Sequence, residues 1–148
     1  MCIRDRGGYP EVHAEAHDLA EEVTNVKRKI DAGASFVITQ MFFDNECFFR
    51  FEEACREEGI VAPLIPGIKV ITSKQQLTVL PEIFGTSIPQ NLIDEVHACE
   101  TDEDVCQVGI AHAVQQARAL LQHGVVGVHF FTMNNSHVFN QILRAFQG

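Results

Sequence analysis

Gly33-Ala34-Ser35-Phe36-Val37-Ile38-Thr39-Gln40-Met41-Phe42-Phe43-Asp44 is the stretch whose reading decides the fold. From Ser35 to Phe43 it is nearly continuously apolar and carries the β-branched residues Val37, Ile38 and Thr39. A run without polar alternation reads as a strand covered on both faces, which is the habit of parallel sheets. Gly33 sits where the preceding helix needs a residue that tolerates the left-handed conformation. That helix is read over residues 14–32, because Leu19, Val23, Val26 and Ile30 form one stripe at helical spacing.

Outward from this stretch the alternation repeats. Residues 45–58 read as a helix burying Phe48, Phe51 and Cys55 and ending at Gly59. Residues 61–68 read as a second strand, broken by Pro63 and by Pro66-Gly67. Helices are expected over 73–84, with Ser73 as N-cap, and from Ile88-Pro89 to about Ala98. A long helix follows over 102–123, closed by Gly124, then a third strand over 125–133 and a last helix over 136–146. Repeated strand–helix units predict an α/β fold with a parallel sheet. Three strands cannot close a barrel, so one sheet face is expected to lie open. The pattern is that of the last three βα units of a parallel (β/α)8 TIM barrel.

Met1-Cys2-Ile3-Arg4-Asp5-Arg6 reads as the translation of ATG-TGT-ATA-AGA-GAC-AGN, a transposase adapter used in sequencing libraries. Residues 1–7 are therefore set aside as a leader, and 8–148 are read as the C-terminal half of a barrel domain. The formal net charge of −9 leaves no basic stripe, which argues against nucleic acid or an anionic membrane surface as partner. No apolar run approaches the roughly 20 residues of a membrane-spanning helix. With Cys2 set aside, Cys47, Cys55, Cys99 and Cys106 show neither a C-x-x-C pair nor finger spacing. They predict reduced thiols in a cytoplasmic protein and no metal site.

Several polar residues stand where chemistry could use them. Glu22, Asn25 and Lys29 fall on one helical stripe with Arg28 adjacent, offering an acceptor, an amide and cations along one edge. Such an edge suits a ribose hydroxyl and a pyrophosphate, and equally suits plain solvation. The chain has no G-x-G-x-x-G and no Walker loop, so any dinucleotide must be held by side chains. Tyr9, kept extended by Pro10, and His13 could pack against a planar heterocycle. Gln40, within or just past its strand, offers both a donor and an acceptor at the end where barrels place their active sites. His129 reads as a core or outward histidine, and His17, His97, His112, His123 and His137 as surface residues.

Gly8-Tyr9-Pro10-Glu11-Val12-His13, Asn25-Val26-Lys27-Arg28-Lys29-Ile30-Asp31-Ala32-Gly33-Ala34, and Ile38-Thr39-Gln40 with Phe43-Asp44 together resemble methylenetetrahydrofolate reductase. Ile65-Pro66-Gly67-Ile68 and His129-Phe130-Phe131-Thr132-Met133-Asn134 continue the likeness in order, from Gly8 to the end of the chain. The resemblance implies a (β/α)8 barrel that binds FAD and reduces 5,10-methylenetetrahydrofolate to 5-methyltetrahydrofolate with NADH or NADPH. It puts Tyr9, His13, Ala16, Glu22, Asn25, Arg28 and Lys29 on FAD-contacting positions. Gln40 matches a glutamine that meets folate and nicotinamide, and Gln76 matches a folate contact. The family's general-acid glutamate belongs to the first half of the barrel, so no catalytic residue is assigned here and the segment alone is expected to be inactive. A homo-oligomer is expected of the complete protein.

Two positions depart from the family. Asn135 stands where an arginine is usual, which weakens a folate contact at that position, and Leu80 replaces an aromatic. The competing readings are a half-barrel module without flavin or enzymatic activity and, more remotely, a metal-dependent barrel hydrolase.

Overall fold

The computed structural model describes residues 6–11, 19–133 and 135–147. His13, Ala16, His17 and Asn134 lie outside the described residues. Four strands form one sheet: β1 (Arg6–Gly8), β2 (Val37–Met41), β3 (Leu64–Lys69) and β4 (His129–Phe131). All neighbours are parallel, and the order across the sheet is the order along the chain. Such an unswitched order is compatible with the wall of a βα-barrel.

The helices are α1 (Leu19–Asp31), α2 (Asn45–Glu57), α3 (Gln76–Phe84), α4 (Gln90–Ala98), α5 (Asp102–His123) and α6 (Ser136–Gln147). Val23 and Val26 of α1, Phe48, Phe51 and Cys55 of α2, Ala113, Ala117 and Leu120 of α5, and Val138 and Ile142 of α6 share one buried cluster with Val37, Leu64 and Ile68 of the strands. One sheet face is thus covered by four helices. A second cluster joins Met41 at the end of β2, Phe43 past β2 and Ile71 past β3 to Leu80 of α3, Leu92 and Val96 of α4, and Val105 of α5. α3 and α4 therefore cap the exit end of the strands. On the other face Ile38, Gln40 and Ile65 are half-buried, as expected of a sheet open on one side.

The expectation of three strands needs correction. β1 is a fourth, pairing Arg6 with Ile38 and Gly8 with Thr39, and it begins inside the residues set aside as a leader. Three residues of Arg-Gly-Gly carry no alternation and no apolar side chain, so only pairing with β2 marks them as strand. β4 is also shorter than expected, at three residues, since it pairs only with β3 among the described residues.

Helix ends follow local chemistry. Asp44 caps α2 by accepting the Glu46 amide N–H at 3.0 Å. Thr101 and Asp104 form a reciprocal capping box on α5, and the Thr101 hydroxyl and amide hold the Asp104 carboxyl below the usual range. Ser73, expected to cap α3, does not. The helix begins at Gln76 after a turn in which the Ser73 carbonyl accepts the Gln76 N–H at 3.2 Å. No described helix is long and apolar enough to cross a membrane.

Candidate active site

The carboxyl ends of β3 and β4 open into a cleft of about 460 Å³, bounded by α3 and α6. Met41 just inside the end of β2, Lys69 ending β3, Gln76 and Leu80 on α3, Phe131 ending β4 and Asn135 at the start of α6 line it. Three residues that the sequence singled out for substrate, or placed beside it, are brought together here: Gln76, Asn135 and the departure Leu80.

Their hydrogen bonds limit what each can do. Gln76 Oε1 accepts the Thr72 backbone N–H at 2.9 Å, and its Nε2 donates to Thr72 Oγ1 at 3.2 Å. The amide is thereby fixed at the cleft wall with one N–H still available. Asn135 Oδ1 accepts the Val138 N–H at 3.2 Å, so this side chain caps α6 and only its amide N–H groups remain for a ligand.

Gln40 does not line the cleft, although its neighbour Met41 does. It is half-buried on β2, and Oε1 accepts the Met41 N–H at 3.0 Å. On α1 the expected stripe is graded. Glu22 is buried at 5 % exposure, Asn25 and Lys29 are half-buried, and Arg28 is exposed. Tyr9 is half-buried just past β1. None of these five lines the cleft. They belong to the neighbouring β1–α1 unit, so the structure separates a polar α1 edge from the β3–β4 mouth.

Sequence reading missed the most buried cation. Lys69 is 8 % exposed, and burial pushes its ammonium below the ordinary lysine range, with the Cys106 thiol acting weakly in the opposite sense. It also missed how the exit of β2 is held. Gln116 Nε2 donates to the Phe42 carbonyl at 2.9 Å, and His112 Nε2 lies 3.0 Å from the Phe43 carbonyl oxygen. Asn45 Nδ2 donates to the Gln116 carbonyl at 3.1 Å. The carbonyls that β2 leaves unpaired past Met41 are thus satisfied by α5. His112, read as a surface residue, is half-buried for this reason. His129 is half-buried with its ring edge-on to Phe131 at 4.7 Å, consistent with a packing role.

Cys47, Cys55, Cys99 and Cys106 are free thiols, and no group of three potential metal ligands occurs among the described residues.

These features define a parallel βα sheet with a ligand-sized cleft and amide side chains at its carboxyl edge. The family described as "Methylenetetrahydrofolate reductase" matches residues 2–147, and the chain belongs to that family. A probable methylenetetrahydrofolate reductase (NADPH) of Caenorhabditis elegans is 36 % identical over 140 residues, covering 93 % of this chain and 21 % of that protein. The 5,10-methylenetetrahydrofolate reductase of Escherichia coli (strain K12) is 34 % identical over 131 residues, covering 88 % of this chain and 44 % of the relative. The chain thus spans less than half the length of these relatives. Among solved structures, an uncharacterized protein from Clostridium thermocellum aligns with a TM-score of 0.58 at 19 % identity, covering 74 % of this chain and 40 % of that one. That protein is described as binding two copies of 5-methyl-5,6,7,8-tetrahydrofolic acid. At this identity the likeness speaks to the fold alone.

Proposed function

We propose that this chain forms the C-terminal wall of a TIM-barrel reductase that converts 5,10-methylenetetrahydrofolate to 5-methyltetrahydrofolate, using FAD and NADH or NADPH, in the cytoplasm. The observation that carries this reading is the meeting of Lys69, Gln76 and Asn135 in one apolar cleft at the strand ends, in a chain whose family match runs almost end to end.

The α1 edge fits a flavin dinucleotide by its donor set. A buried carboxylate at Glu22 can accept ribose hydroxyls, Asn25 supplies an amide, and Arg28 and Lys29 supply cations for a pyrophosphate. Tyr9, His13 and Ala16 complete the proposed cofactor contacts, with Tyr9 at the exit of β1. When bound, the flavin supplies the two-electron transfer between nicotinamide and folate. The chain's own part is positional. Gln40 presents an amide whose oxygen is oriented by the Met41 N–H, suited to the polar edge of a pterin or of a nicotinamide amide. Gln76, pinned to Thr72, offers its remaining N–H at the cleft wall. Leu80, Phe131 and Met41 give the cleft an apolar lining suited to a planar ring.

The test is made on the complete protein that carries this segment. Purification with the absorbance of a bound flavin, and folate-dependent oxidation of NADH or NADPH, are expected. A protein without flavin that oxidises neither nucleotide would leave a non-enzymatic half-barrel module in place of the reductase.

A further inference from the structure

Lys69 is a largely buried residue whose ammonium has no carboxylate partner among the described residues. Its side chain lines the cleft at 8 % exposure, and no described carboxylate forms an ion pair with it. Among the described residues only the Cys106 thiol exerts a charge effect on it, and burial raises that thiol above its ordinary range, so it is neutral near pH 7 and no counter-ion. Among the described residues no acidic side chain stands against this ammonium. An ammonium partly withdrawn from water is better satisfied when an anion meets it. The surrounding wall is apolar: Leu80, Phe84 and Phe131 flank the space, whose volume of about 460 Å³ lies in the range of small-molecule sites. An inorganic anion would satisfy the ammonium and leave that wall wet. A ligand with an apolar body and a carboxylate end satisfies both.

We propose that Lys69 is a substrate-binding residue that pairs with a carboxylate of the folate's glutamyl end, and that it supplies in this chain the cation absent at Asn135. This rests on the reductase reading above and adds to it the residue that recognises the anionic end of the substrate. Asn135, committed through Oδ1 to capping α6, offers only neutral N–H groups to the same cleft.

The experiment compares two substrates in the complete reductase carrying this segment: methylenetetrahydrofolate and methylenetetrahydropteroamide, in which a neutral carboxamide replaces the glutamate and its carboxylates. Lys69→Met is expected to raise KM for the folate by about tenfold or more, as for loss of one charge-assisted hydrogen bond. KM for the pteroamide and kcat for both should stay within about twofold of wild type. Lys69→Arg should recover most of the folate KM. Flavin content and the rate of NAD(P)H oxidation by menadione report folding independently of folate. If Lys69→Met loses flavin, the same comparison is read from Lys69→Arg and Lys69→Gln. An equal change in KM for both substrates, or no change, overturns the assignment and leaves Lys69 paired to another part of the protein. A wild-type enzyme that reduces neither compound overturns the reductase reading itself.

Discussion

Thr39 Oγ1 accepts the Gly67 amide N–H at 3.0 Å and donates to the Gln40 carbonyl at 3.0 Å. This one hydroxyl bridges β2 and β3 where their register shifts between Ile38 and Met41. A methyl group added at Gly67 would overlap the Thr39 carbonyl oxygen and stand 2.6 Å from Phe131 Cε2. Three strands therefore meet at a residue that must lack a side chain, immediately before the strand ends that carry the cleft.

Gly67→Ala is accordingly expected to destabilise the protein by about 1–3 kcal/mol through overpacking. Thr39→Val leaves the buried Gly67 N–H without its acceptor and should cost a similar amount, about 1–3 kcal/mol. Thr39→Ser retains the hydroxyl and should lose much less. Urea unfolding of the three variants measures this. Equal midpoints for Thr39→Val and Thr39→Ser would show that the hydroxyl bridge contributes nothing.

Gln40→Ala should weaken the folate half-reaction by about tenfold or more while leaving flavin retention near wild type. The reason is position. Gln40 lies on β2 with its oxygen held by the Met41 N–H, whereas the proposed flavin contacts lie on the β1–α1 unit. Stopped-flow reoxidation of reduced enzyme by folate, alongside flavin absorbance, separates the two. Equal loss of both would place Gln40 in a structural role.

The long elements were legible because their signals are redundant. Residues 102–123 were read correctly from an apolar stripe and a closing Gly124, and α5 runs Asp102–His123. The capping box at Thr101 and Asp104 and the left-handed Gly124, at φ 109°, fix those two ends physically. Where one pairing partner or one side chain decides, reading failed. β1 has no pattern of its own, and Ser73 does not cap α3 because the Gln76 N–H goes to the Ser73 backbone carbonyl and the helix starts later. Lys69 fell just beyond the strand read to Ile68, and lysine carries no expectation of burial. Gln76 and Asn135 came from family likeness alone, since no spacing signals that α3 and α6 face one cleft. His112 and Gln116 were invisible because their partners are backbone carbonyls of β2's exit, about 70 residues away in sequence.

Gly109 tests the packing of α5 on β3. A methyl group there would overlap the Ile71 carbonyl oxygen and approach its carbonyl carbon at 2.9 Å. In a helix interior, alanine is intrinsically better than glycine by about 1 kcal/mol. Gly109→Ala should nevertheless destabilise by about 1–3 kcal/mol, because backbone cannot yield as a side chain can. A stabilised variant, read from the thermal or urea midpoint, would mean that α5 can shift away from Ile71 freely.

The thiols make stability fall at alkaline pH. Burial pushes Cys55 from 9.0 up to about 11, with Arg56 opposing and Glu52 adding to the shift. The raised value means that the unfolded chain ionises first. Below pH 9 both states hold the proton and nothing changes. Between pH 9 and 11 only the unfolded state loses it, so folding stability falls by about 1.4 kcal/mol per pH unit, roughly 2–3 kcal/mol in all. Above the folded value the loss is complete. Cys55→Val removes the titrating group while keeping apolar bulk in the α2 face of the core. Urea midpoints measured at half-unit steps from pH 8 to pH 11 should show a shallower decline for Cys55→Val than for wild type. Cys47 and Cys106, also raised by burial, leave some slope in the variant. Parallel curves for the two proteins would mean that Cys55 ionises as readily in the folded core as in the open chain.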